Sequence, residues 1–100
     1  MISRTMFAEN NWLISFIVPC YNVERYIQKC LDSIYVCDLQ ESQFEVICVN
    51  DCSPDNVQSV LEQNQKQHDN LKIVVHEYNK GLGGARNTGI NNAKGKFVWF

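Results

Sequence analysis

Ile14-Ser15-Phe16-Ile17-Val18-Pro19-Cys20-Tyr21-Asn22-Val23 is the stretch from which the fold can be read. An apolar run climbs to Val18 and meets a proline. Tyr21 and Asn22 then lead to Val23, where an amphipathic pattern starts. A buried parallel strand hands its carboxyl end to a helix in this way. In open α/β sheets those ends hold the ligand crevice.

Outward from this stretch, the unit repeats. Trp12 and Leu13 begin the first strand, which is expected to end at Val18. Val23, Tyr26, Ile27, Cys30, Leu31 and Ile34 form one apolar helical stripe, with Asn22 as the expected N-cap and Glu24 in the positive first turn. Phe44 to Val49 reads as a second strand. Ser53 as N-cap, Pro54 at the first helical position and Asp55 in the first turn predict a second helix. Val57, Val60 and Leu61 are its stripe, and Asn64 to Asn70 lets it end. Leu71 to His76 is a third strand, Glu77 to Gly84 a loop, and Ala85 to Ala93 a third helix capped by Gly95. Lys96 to Phe100 begins a fourth strand. Residues 1–11 show no period and are set apart as an N-terminal arm; 12–100 form the folded unit. Apolar strands alternating with helices predict an α/β fold, a parallel sheet covered on both faces. Right-handed crossovers favour strand order 3-2-1-4.

Composition narrows the function classes. One hundred residues with a net charge of −2 make one domain with a modest core. No basic block points to a nucleic-acid partner. Ile14 to Val18 is too short to span a bilayer and has the wrong flanks for a signal peptide. Pro19 argues against a lipid-attachment site at Cys20. A cytoplasmic chain is expected. The five cysteines are odd in number and include no Cys-x-x-Cys, so neither a disulfide framework nor a zinc site is indicated. Cys30 and Cys48 fall on expected apolar faces. Cys20 and Cys52 fall near the expected ligand edge, but His68 and His76 are expected elsewhere, so no thiol nucleophile is assigned.

Three motifs gather at the expected rim. Pro19-x-Tyr21-Asn22 offers an aromatic ring to a base, or is simply a rigid turn with a cap. In Asn50-Asp51-Cys52-Ser53-Pro54-Asp55, helix capping accounts for Ser53 and Asp55 but leaves Asp51 without a structural task. A carboxylate at a strand end can accept a hydrogen bond from a base N–H. Asn79-Lys80-Gly81-Leu82-Gly83-Gly84-Ala85-Arg86-Asn87-x-Gly89 brings glycines to a helix start. Such a start suits phosphate, with Arg86 adding charge; equally, it lets helix and sheet pack closely. It is neither a Walker loop nor the dinucleotide fingerprint.

Together these motifs resemble the nucleotide-binding half of a family 2 glycosyltransferase of the Rossmann-like GT-A fold. The carrying residues are Ile17 to Glu24, Cys30-Leu31-x-Ser33, Glu45-Val46, Asn50-Asp51-x-Ser53-x-Asp55, Asn79-x-Gly81 to Asn87, Gly89, and Ala93-x-Gly95. The resemblance covers about Ile14 to Phe100. The resemblance implies an inverting transferase that moves a sugar from a nucleotide-sugar donor, commonly UDP-linked, to a saccharide or lipid-linked acceptor in polysaccharide biosynthesis. Pro19 and Tyr21 would border the base, Asp51 would hold the uracil edge, Glu24 would lie near the nucleoside, and Arg86 near the diphosphate. Asn50 and Cys52 depart from the family's Asp-Asp-Gly-Ser. The family's Asp-x-Asp ligands for Mn²⁺ or Mg²⁺ and its carboxylate base would lie beyond Phe100, so this chain alone is not expected to turn over. The full-length protein is expected in the cytoplasm, with peripheral association at the inner membrane face and self-association through exposed Trp99 and Phe100 left open. A non-catalytic nucleotide- or protein-binding module is the alternative. A related nucleotidyltransferase is disfavoured, because Pro19 to Val23 contains no glycine.

Overall fold

A computed structural model of the chain describes residues 12–100; the expected arm, 1–11, lies outside the described residues. The elements are β1 (Ile14–Cys20), α1 (Glu24–Tyr35), β2 (Phe44–Asn50), α2 (Val57–Gln67), β3 (Leu71–Val75), α3 (Gly81–Asn92) and β4 (Phe97–Trp99). The four strands form one parallel sheet in the order β3-β2-β1-β4, as the pattern predicted. α1 and α2 cover one face, where Ile27, Leu31, Val57 and Leu61 meet Val18, Phe44, Val46 and Cys48. α3 covers the other, with Ala85 against Ile17, Ile47 and Val49. Every residue of β2 is buried, the signature of a central strand packed on both sides. No helix among the described residues is long and apolar enough to cross a membrane.

Several local expectations give way to tertiary partners. β1 does not end at Val18 but runs through Pro19 to Cys20, paired with Val49 and Asn50. Cys20 turns its carbonyl to β2, where Asp51 N donates to it. Its neighbour Pro19 therefore turns its nitrogen to the opposite side, beyond the β4 pairing that ends at Phe16 and Trp99. A proline is tolerated in a strand where no ladder donor is required.

Asn22 is not the cap of α1. It adopts φ 59° and makes the sharp exit from β1, a conformation asparagine tolerates. Nor does Ser53 cap α2, which begins at Val57, so Pro54 lies outside it. The two helix starts cap each other instead. Asp55 Oδ2 accepts from Glu24 N at 3.0 Å, and Glu24 Oε1 accepts from Asn56 N at 2.9 Å. Asp55 Oδ1 also accepts from Val57 N at 3.2 Å. α2 continues past Asn64, whose buried amide pairs reciprocally with Gln28 of α1 at 2.8 and 3.1 Å. The α1 stripe is narrower than its spacing suggested, for Tyr26 and Cys30 are exposed.

α3 begins at Gly81, four residues before the expected Ala85. Gly95 does not cap it; Gly95 N donates instead to Ser15 Oγ of β1 at 2.8 Å. That contact belongs to a buried polar cluster at the amino-terminal edge of the sheet. Ser15 Oγ donates to Glu45 Oε2 at 2.6 Å, and Lys94 N donates to the same oxygen at 2.6 Å. Lys72 Nζ of β3 lies 3.1 Å from Glu45 Oε1, which accepts no directed hydrogen bond among the described residues.

Candidate functional site

Two parallel strands end side by side in polar residues. After β1 the chain delivers Tyr21 to the rim, and after β2 it delivers Asp51. Between them and the start of α3 lies a cavity of about 370 Å³. Pro19, Tyr21, Asp51, Asn79, Gly81 and Leu82 are among the residues lining it. The space is at the small end of what small-molecule sites occupy. It opens at the carboxyl edge of the sheet, beside the point where strand order reverses between β1 and β4.

Asp51 is the centre of the site. It is 2% exposed. Its Oδ1 accepts from Lys80 N at 2.8 Å and meets His76 Nδ1 at 2.7 Å. Its Oδ2 accepts from Gly81 N at 2.9 Å. Burial alone would raise the carboxyl pKa. The His76 contact and the Lys80 and Gly81 amides outweigh that and hold it below the usual value. The expectation that Asp51 has no structural task is thereby corrected: it caps α3 across space. Gly81 takes φ 80°, which suits a residue without a Cβ, and its amide turns toward the carboxylate. This capping explains why a glycine-rich segment is helical from its first residue, against its propensity.

Two residues of the site were not legible as such. Asn79 lines the cavity, donates from Nδ2 to the Asp51 carbonyl at 3.2 Å, and accepts from Gly81 N at 3.1 Å. His76, expected away from the site, lies beneath Asp51. Its backbone N donates to Asn50 O at 2.9 Å, prolonging the β2–β3 ladder. Its Nε2 lies 2.8 Å from Thr88 Oγ1 of α3. The available signal was topological: a histidine ends the strand next to the one that delivers Asp51, on the same rim.

Of the remaining candidates, Tyr21 lines the cavity, whereas Glu24 and Arg86 do not. Tyr21 is 49% exposed, leaving its ring accessible. Glu24 faces the start of α2 and caps it. Arg86 is exposed on α3, with its guanidinium 5.5 Å from the Phe100 ring centre. Asn50, buried, donates to Gln58 Oε1 at 2.9 Å and accepts from Ser53 N at 3.0 Å. Cys52 holds φ 58° at the tip of the same loop. Among the described residues, no three His, Cys, Asp or Glu side chains are grouped to hold a metal ion.

The model of Glycosyl transferase family 2 matches residues 15–100. The chain is 43% identical over 88 residues to the uncharacterized glycosyltransferase EpsJ of Bacillus subtilis (strain 168), covering 88% of this chain and 25% of that protein. Among solved structures, Staphylococcus aureus TarS 1-349 in complex with UDP-GlcNAc superposes with a TM-score of 0.80 at 39% identity, over 86% of this chain and 25% of that one. The mannosyltransferase PcManGT from Pyrobaculum calidifontis, in complex with GDP-Man and Mn²⁺, superposes with a TM-score of 0.80 at 30% identity, over 88% and 26%. The chain thus spans about a quarter of the length of each of these matched chains, and 15% of the longer TarS chain.

Proposed function

Since the chain belongs to Glycosyl transferase family 2, we propose that it is the donor-nucleotide half of an inverting glycosyltransferase that uses a UDP-sugar in polysaccharide assembly. The observation that carries this reading is the convergence of Pro19, Tyr21 and Asp51 on one cavity at the carboxyl edge of a parallel sheet. The exposed Tyr21 ring gives a base a stacking surface, with Pro19 beside it. Asp51 Oδ1 already faces two donors, whereas Oδ2 accepts only one bond and keeps a lone pair for a base N–H. Uracil and guanine both present a ring N–H, so this acceptor serves either base. UDP is favoured by the higher sequence identity to the structure in complex with UDP-GlcNAc, 39%, than to the one in complex with GDP-Man, 30%, at equal TM-score.

The chain's own work is to hold the nucleotide so that the sugar–phosphate bond faces an acceptor hydroxyl. In the transfer, that bond breaks toward the diphosphate, and the hydroxyl oxygen bonds the anomeric carbon from the opposite side. The hydroxyl proton passes to a carboxylate base outside this chain. Asp51 occupies the Lys80 and Gly81 amides, and the next amides of the first turn of α3, those of Leu82 and Gly83, suit the diphosphate. Arg86, on the next turn, is assigned to the diphosphate from the family resemblance; it does not line the cavity. Glu24 acts at the nucleoside only indirectly, by bracing the loop that carries Asp51. A divalent cation is expected of such an enzyme, but the described residues do not make a site for it. Its ligands are assigned to sequence outside this chain. Saccharide or lipid-linked acceptors, a cytoplasmic location at the inner membrane face, and self-association through the exposed Phe97, Trp99 and Phe100 complete the reading.

Titration calorimetry with UDP tests it. Tyr21→Ala removes an exposed ring without touching the core, and is expected to weaken UDP binding by about 1–3 kcal/mol. Unchanged affinity in a folded Tyr21→Ala protein would overturn the site assignment.

A further inference from the structure

His76 is buried, and both of its ring nitrogens are engaged. It bridges two elements that frame the cavity: Asp51 at the end of β2 and Thr88 in α3. An ionised Asp51 only accepts, so His76 Nδ1 carries the proton of that contact. In the neutral ring, Nε2 then accepts from the Thr88 hydroxyl. His76 Nδ1 at 2.7 Å and Lys80 N at 2.8 Å fill both acceptor directions of Oδ1. Gly81 N fills one direction of Oδ2 and leaves the other free.

We infer that His76, set by Thr88, is a positioning residue for base recognition: it pins one oxygen of Asp51, so that a single acceptor direction on the other oxygen is left for a ligand. The inference rests on the nucleotide-binding reading and extends it to specificity. Without His76, one acceptor direction of Oδ1 stands open and Asp51 can tilt on the Lys80 and Gly81 amides, meeting a base with or without a ring N–H directly or through water. A pinned carboxylate rewards uracil, whose N3 carries hydrogen, and leaves cytosine, whose N3 is a lone pair, facing an acceptor. Repulsion between acceptors in a buried site then adds to the lost hydrogen bond.

The test is the ratio of UDP to CDP affinity, measured by calorimetry on the full-length protein. A site that is merely loosened loses both ligands together and keeps the ratio. The parent protein is expected to prefer UDP by about tenfold or more, the worth of one charge-assisted hydrogen bond. His76→Leu, which removes the donor, is expected to bring the ratio to within about threefold. His76→Asn, whose amide can stand where Nδ1 stands, should retain most of the preference. Thr88→Val should lower it, and Thr88→Ser should restore it. Asp51→Asn separates the two layers of the argument. If Asp51→Asn leaves the ratio unchanged, the base contact itself is wrong, and this inference goes with it. If Asp51→Asn shifts the ratio while folded His76→Leu and Thr88→Val keep the parent value, the positioning role is overturned and the base contact stands. Should His76→Leu fail to fold, the Thr88→Val and Thr88→Ser pair decides by the same criterion.

Discussion

Cys52 shows what one residue's backbone can demand. Its φ of 58° lies in the left-handed region, where a Cβ crowds the following carbonyl. The side chain gains little in return, since Sγ makes only a 3.7 Å contact with the Glu77 carbonyl and the residue is exposed. Glycine, which the family usually carries here, removes that crowding. Branching at Cβ makes it worse. Cys52→Gly is therefore expected to be neutral or stabilising, and Cys52→Val to destabilise by about 1–2 kcal/mol, as read from urea midpoints. A Cys52→Val protein as stable as the parent would show that the loop relaxes out of this conformation. Asn50, the other departure from the family pattern, pairs with Gln58 and the Ser53 amide, so its amide carries out a turn-forming role without charge.

Element starts and contacts are where the fold is most exposed to single changes. Asp55 serves both α1 and α2, so Asp55→Ala removes two caps at once. Loss of about 1–2 kcal/mol is expected, and Glu24→Ala should cost less, because Glu24 caps only α2. Equal effects of the two variants in chemical denaturation would contradict the reciprocal arrangement. α3 lies against β1 at Gly89, where an added Cβ would come within 2.2 Å of Ile17 Cγ2. Gly89→Ala is expected to cost about 1–3 kcal/mol by overpacking. Pairing it with Ile17→Ala should recover part of that loss, a coupling that a double-mutant cycle measures directly.

Across the whole molecule, two polar clusters hold opposite edges of the sheet. At the amino-terminal edge, Ser15, Glu45, Lys72, Lys94 and Gly95 join β1, β2, β3 and the approach to β4. Ser15→Ala would leave the buried Glu45 short of a donor and Gly95 N short of an acceptor. About 1–3 kcal/mol of stability should be lost. At the carboxyl edge, Asp51 and Asp55 both sit below their usual pKa. For each, burial alone would raise the value, and hydrogen bonds outweigh it: His76, Lys80 N and Gly81 N for Asp51; Ser53, Glu24 N and Val57 N for Asp55. A carboxylate depressed on folding stabilises the native state fully above its unfolded pKa, about 3.9. That contribution is lost as pH falls through the lower folded values. Stability should thus decline on acidification below about pH 4, and Asp55→Asn should show a shallower decline. Identical slopes for parent and variant in acid titrations would remove Asp55 from this account.

The order of elements, the parallel sheet and its 3-2-1-4 arrangement were determined by the sequence alone. Strands buried on both faces need unbroken apolar runs, and short connections with right-handed crossovers leave little choice of topology. The gathering of Pro19, Tyr21 and Asp51 followed from the same rule, because all three stand at or just past the carboxyl ends of adjacent strands. Only the tertiary structure decided where helices begin, and what Asp51 and His76 face. Asp55 and Glu24 cap each other's helices across 31 to 32 residues of chain. Asp51 meets His76 across 25 and the Gly81 amide across 30. Local propensity is blind to such partners, since a backbone amide gains as much from a carboxylate thirty residues away as from one beside it, once folding has brought the two together.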